Sequence, residues 1–182
     1  MTERHLVVAA TAAEATHVPA HLPLVVTGLG KTAAATATAR ALAAYDDLSG
    51  LTVVNVGTAG ALRPGLTGLF EPGIVLNHDL SADLVRSLGY DPEDRLEVGE
   101  SEVVLATGDV FVTEPAVRDG LALRAHLVDM EGYAVAYAAR EAGVPVRLVK
   151  HVSDSADESA LDWPRMVAAS ARALGEWLRA NL

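Results

Sequence analysis

Short apolar runs recur along the chain, each closed by glycine, proline or a polar residue, and they read as strands. Leu6 to Ala10, Leu24 to Thr27, Leu51 to Val56, Gly73 to Asn77, Glu102 to Thr107, Ala125 to Asp129 and Val146 to Val152 are the predicted strands. Between them the spacing shifts to helical. An Ala-rich helix is predicted from Ala33 to Tyr45, and a second from Glu131 to Ala142 with Gly132, Val135, Ala136 and Ala139 on its inner face, closed by Gly143 and Pro145. An amphipathic helix runs from Trp163 to Asn181, while 81–99 reads as a helical turn and loop. Strands alternating with helices predict a single α/β domain over residues 1–182.

Composition narrows the function classes. With 14 Lys plus Arg against 24 Asp plus Glu, a net charge of -10 opposes nucleic acid and anionic lipid as partners. The 182 residues include no cysteine, which excludes disulfides and thiolate chemistry and fits a reducing, cytoplasmic setting. The apolar run after Arg4 is a strand's length and is read as the first strand, not an export signal. No stretch approaches the ~20 apolar residues of a membrane span.

The chemistry collects where predicted strands end. Val128-Asp129-Met130-Glu131-Gly132 and Val146 to Asp154 each break from an apolar run into an acidic residue, placing Glu131 and Asp154 at strand mouths. Glu14 lies just past the first strand, either there or in the first turn of a helix where it would favour the dipole. Gly57-Thr58-Ala59-Gly60 is either an ordinary glycine turn or a floor on which a flat ligand can lie. Phe111 follows another strand end and is either a core aromatic or a stacking surface for a planar base. Gly28-Leu29-Gly30-Lys31-Thr32 resembles part of a phosphate loop, but the Walker pattern needs a glycine where Val25 stands. The glycines more simply turn a strand into a helix whose amino end points at the site. His78-Asp79 invites a metal or acid/base reading but, without further ligands at useful spacing, reads as a surface or rim pair, and Asp109, Asp129 and Asp157 read as loop or capping residues.

Three carboxylates, small residues and one phenylalanine, with no Gly-x-Ser-x-Gly elbow, suit acid/base hydrolysis of a polar small molecule better than acyl transfer. At this point the sequence resembles the purine nucleoside phosphorylase and nucleosidase superfamily. Within it, the chain is most similar to the 5′-methylthioadenosine/S-adenosylhomocysteine nucleosidases and futalosine hydrolases. The matching segments, in family order, are Ala10 to Glu14, Thr27 to Lys31, Val56 to Leu62, Thr107 to Phe111, Val128 to Gly132 and Val152 to Asp157. The resemblance implies a three-layer α/β/α fold with a mixed central sheet. The chain between Glu14 and Gly28 is too short for the family's usual N-terminal hairpin, and the segment from His78 to Thr107 is also trimmed.

The resemblance also implies roles. Asp154 would protonate N7 of a purine leaving group, with Ser153 orienting it. Glu131 would accept the ribose 2′ and 3′ hydroxyls and stabilise an oxocarbenium-like transition state by its charge. Glu14 would position and deprotonate water. Met130 would lie against the ribose, Phe111 would stack on the base, the backbone of Val112 would read its edge, and Thr58, Ala59 and Gly60 would line the floor. The phosphorylases need an arginine near the third strand and an amino-terminal glycine loop. Neither is present around Asn55 or between Leu6 and Glu14, so water is the expected nucleophile. The implied activity is an N-glycosyl hydrolase acting on an adenosine-type nucleoside, without cofactor or metal, as a homodimer. Futalosine or another purine nucleoside is the alternative substrate, and a non-catalytic nucleoside-binding domain the alternative class.

Overall fold

The computed structural model describes residues 4–182. In chain order the elements are β1 (Arg4–Ala9), β2 (Leu24–Val26), α1 (Lys31–Ala43), β3 (Leu51–Ala61), β4 (Leu69–Phe70), β5 (Ile74–Asn77), α2 (Ala82–Ser87), β6 (Arg95–Glu97), β7 (Val104–Thr107), α3 (Pro115–Ala122), β8 (Leu127–Asp129), α4 (Gly132–Glu141), β9 (Val146–Asp154) and α5 (Trp163–Asn181). A short 3-10 turn, Glu158–Asp162, leads into α5. The strands form one mixed sheet in the order β2-β1-β3-β8-β7-β5-β6, with β9 pairing β3 and β4.

Alternation along the central strands divides the core into two layers. Leu6, Val8, Val53 and Leu148 pack with Ala34 and Leu42 of α1 and Val135, Ala136 and Ala139 of α4. Their neighbours Val7, Ala9, Val54, Val56 and Val149 pack on the opposite side with Leu174 and Leu178 of α5. Helices therefore cover both faces, the three-layer α/β/α arrangement with a mixed sheet that the resemblance implied. The chain between β1 and β2 contains turns and no strand pair.

β3 is the axis of the molecule. It runs parallel to β1 through Leu51–Asn55 and parallel to β9 from Val53 to Gly60, then pairs antiparallel with β8 at Gly60 and Ala61. The sequence predicted its end at Val56, but the strand continues through both glycines to Ala61. The glycines are there for lack of space. A Cβ on Gly57 would sit 3.3 Å from both Glu14 Oε1 and Lys150 Nζ, and one on Gly60 would sit 3.0 Å from Asp154 Oδ1 and Ala156 Cβ. The register shift between β3 and β9 falls at Ala59/Gly60, opposite Asp154.

β4, β6 and α3 are additional to the predicted elements. β4 has two residues and exists through its pairing with β9, and β6 is a three-residue strand in which Leu96 alone is buried. No helix among the described residues is long and apolar enough to cross a membrane.

Candidate active site

Glu14 lies in a turn beyond β1 and is 4% exposed. It does not serve a helix dipole. Thr11 donates to Oε2 through its amide at 3.1 Å and its hydroxyl at 2.9 Å, and Thr58 donates to Oε1 through its amide at 2.8 Å and its hydroxyl at 2.9 Å. Four donors thus hold one carboxylate between the end of β1 and the middle of β3.

Glu131 stands at the junction of β8 and α4. The left-handed backbone of Gly28 and Gly30, φ 88° and 87°, turns the chain from β2 into α1 and aims the amide of Gly30 at Glu131 Oε1, 2.8 Å away. The glycine-rich segment therefore delivers a helix amino end to the site, as its sequence suggested. Burial, reinforced by the nearby charge of Asp129, pushes the Glu131 carboxyl up to about 7, against the opposing pull of the Gly30 amide and Lys150. This group therefore holds its proton to higher pH than an ordinary carboxylic acid and ionises in the neutral range.

That shift has a thermodynamic sign. Between its ordinary value of 4.5 and about 7, the folded protein keeps a proton that the unfolded chain releases, so raising pH favours unfolding through this group. Wild type is expected to lose stability relative to Glu131→Gln as pH rises from about 5 to about 8. Melting temperatures of both proteins across that range test this, and a gap that does not change with pH would contradict it.

Asp154 closes β9. Its Oδ2 accepts from the Ser153 hydroxyl at 2.7 Å and its Oδ1 from the amide of Ala156 at 2.9 Å. The second bond closes a tight turn in which Ala156 adopts φ 50°, the one left-handed non-glycine among the described residues. Gly60 leaves room for this turn.

Glu14, Glu131 and Asp154 converge on one cavity of about 320 Å³, a size suited to a small ligand. Met130, Phe111, Val112, Thr58, Ala59, Gly60 and Ser153 line it too, so all ten residues singled out in the sequence face the same space. Phe111 is 47% exposed, a rim position and not a core one. Val112 is buried against Val128 and Ala156.

Sequence reasoning passed over Trp163 and Lys150 and read Asp129 only as a loop or capping residue. Trp163, at the start of α5, lines the cavity and donates from its indole nitrogen to the Thr58 hydroxyl at 2.8 Å. Asp129 is more than a capping residue. It accepts from the Gly132 amide at 2.8 Å and from the Thr107 hydroxyl at 2.6 Å, and it pairs at 2.9 Å with Lys150, both side chains being almost fully buried. Lys150 carried a readable signal, a lysine inside an otherwise apolar strand.

His78 and Asp79 do not line the cavity. Asp79 accepts from Lys31 and from the amide of Asp109, while Asp109 accepts from the amide of Lys31 at 2.7 Å. These bonds tie the segment leading to Phe111 onto α1. The His78 ring packs against Gly108, and burial lowers its affinity for a proton. The expected surface or rim pair, with His78 half-buried and Asp79 exposed, also braces this part of the fold. Asp157 caps the 3-10 turn, accepting from the Ser159 amide at 2.9 Å.

The sequence profile of the phosphorylase superfamily matches residues 76–178. The chain belongs to this superfamily. A curated relative, the aminodeoxyfutalosine nucleosidase of Helicobacter pylori, is 30% identical over 82 residues, 44% of this chain. That match spans 36% of the relative's length. Among solved structures, a mutant Helicobacter pylori methylthioadenosine nucleosidase with 5′-methylthioadenosine in its active site superposes with a TM-score of 0.84. It is 21% identical, over 99% of this chain and 98% of that one. The futalosine hydrolase of the same organism gives 0.81 at 22% identity, over 98% of this chain and 96% of that one. A Streptococcus pneumoniae methylthioadenosine/adenosylhomocysteine nucleosidase in complex with 8-aminoadenine also gives 0.81, at 21% identity and 97% coverage of both chains. These likenesses show that the superfamily member has the nucleosidase fold.

Proposed function

We infer that this superfamily member is a purine nucleosidase, hydrolysing the N-glycosidic bond of an adenosine-type nucleoside to free base and sugar. The observation carrying this reading is the convergence of Glu14, Glu131 and Asp154 on one cavity. Asp154 supplies a proton to N7 as the bond from C1′ to N9 breaks, so the purine departs neutral. Glu131 accepts the ribose hydroxyls and, once ionised, stabilises the positive charge developing at C1′. Glu14 is the final acceptor of the proton lost by water as its oxygen bonds to C1′. Met130 lies against the sugar, and Phe111 stacks on the base.

The charge of the cavity supports water over phosphate and an uncharged 5′ substituent over an anionic one. Of the described residues lining it, four are carboxylic acids and none is Lys, Arg or His. Phosphate, a nucleotide or a 5′ group carrying a carboxylate would meet acidic groups and no lining cation. Methylthioadenosine, whose 5′ end is apolar, needs no such cation. Adenosylhomocysteine would have to leave its amino-acid carboxylate in solvent, and hydrolysis of a futalosine or another purine nucleoside is the second reading, the former favoured by the curated relative.

The same reading takes the chain to be one cytoplasmic domain that forms a homodimer and does not bind nucleic acid. The test is release of free base from nucleosides that differ only at the 5′ position. We expect kcat/KM for methylthioadenosine to exceed that for a 5′-carboxylated analogue by at least about tenfold, the equivalent of ~1.4 kcal/mol. A preference for the anionic analogue would reverse the assignment, and no base release from any nucleoside would leave a binding domain.

A further inference from the structure

Resting on that reading, we propose that water does not hand its proton to Glu14 directly, and that the Thr58 hydroxyl, oriented by Trp163, relays it. A carboxylate offers about four acceptor positions. All four on Glu14 are engaged, two by the Thr11 amide and hydroxyl and two by those of Thr58. Glu14 is 4% exposed, so an incoming water meets the donors around it and not the carboxylate itself.

The direction of each bond at Thr58 follows from its partners. An indole N–H can only donate and an ionised carboxylate can only accept. Trp163 Nε1 at 2.8 Å therefore occupies one lone pair of Thr58 Oγ1, and the hydroxyl proton points at Glu14 Oε1, 2.9 Å away. One lone pair of Oγ1 remains, and Thr58 lines the cavity. A water hydrogen-bonded there is oriented with its own oxygen free to attack.

In the reaction, the water oxygen bonds to C1′ as the C1′–N9 pair leaves with the base, which gains the proton of Asp154 at N7. The water proton passes to Thr58 Oγ1 as the Thr58 proton passes to Glu14 Oε1. Thr58 ends as it began, Glu14 is protonated and Asp154 ionised, and exchange with solvent restores both. Trp163 is a positioning residue: its N–H prevents the Thr58 hydroxyl from rotating away from Glu14.

The two routes predict opposite outcomes for Thr58→Val, which is close to isosteric but has no hydroxyl. Under direct transfer, the variant frees an acceptor position on Glu14, and kcat is retained or raised. Under the relay, kcat falls by about 10²-fold or more, the scale of positioned proton transfer, with KM changed less than about threefold. Thr58→Ser keeps the hydroxyl and is expected within about tenfold of wild type. Trp163→Phe should lower kcat about five- to tenfold at unchanged melting temperature, and add nothing in the Thr58→Val background, since it acts through that hydroxyl.

Wild-type-like kcat in a folded Thr58→Val overturns the relay. So do additive effects of the two substitutions. Where Thr58→Val does not fold, Trp163→Phe alone decides, and an unchanged kcat overturns the proposal. A wild-type protein that releases no base overturns the nucleosidase reading, a result distinct from any of these.

Discussion

Asp154→Asn is expected to reduce base release by about 10²–10⁴-fold while leaving nucleoside affinity within a few fold. Asparagine can keep its carbonyl oxygen where Oδ1 accepts the Ala156 amide, so the turn holding Ala156 at φ 50° survives. The amide then stands where Oδ2 meets the Ser153 hydroxyl. It can donate a hydrogen bond but cannot transfer a proton, so the base would have to leave as an anion. The loss should be smallest for purine analogues whose anions are stable, because they depend least on acid catalysis. Steady-state kinetics on adenine and a more acidic leaving group, together with calorimetric binding to the variant, check both points. Equal losses for both leaving groups, or turnover within a few fold of wild type, would remove Asp154 from the acid role.

How much of this was legible follows from what each element depends on. β1, β3, β7 and β9 could be read because their apolar runs arise from burial on both faces of a sheet. β4 could not, since Leu69 and Phe70 become a strand only when β9 is beside them. β6 presents a single buried leucine, too little for a period. At the site, the strand-end rule located Glu131 and Asp154 from residue pattern alone. The roles of Met130 and Val112 came from the family resemblance, which also decided between the open readings of Phe111 and of Gly57 to Gly60. Trp163 was hidden for a different reason. It reads as the first residue of an amphipathic helix, and its bond to Thr58 spans 105 residues along the chain. Gly57 and Gly60 were legible as small residues near a site. Their cause was not, because the space they leave is filled by Glu14, Lys150 and the Asp154 turn.

Lys150→Met should destabilise the protein by about 3–5 kcal/mol, the cost typical of removing one partner from a buried ion pair. Lys150 and Asp129 are 2.9 Å apart with 2% and 1% of their side chains exposed, so solvent cannot replace the missing charge. Asp129 would keep its bonds from Thr107 and Gly132 but lose its counter-ion. The effect reaches the site because Lys150 also holds the Glu131 carboxyl down against burial and the charge of Asp129. Without it, Glu131 should retain its proton above about 7, and the fall in stability with rising pH should extend to higher pH than in wild type. Adding Asp129→Asn to Lys150→Met removes the stranded charge and should recover part of the loss, making the pair strongly non-additive. Urea unfolding of the four proteins of this cycle at pH 6 and pH 8 measures both effects. Additive losses would mean that the two charges do not depend on each other, whereas Lys150→Arg, which keeps the charge on a longer and bulkier group, should lie between wild type and Lys150→Met.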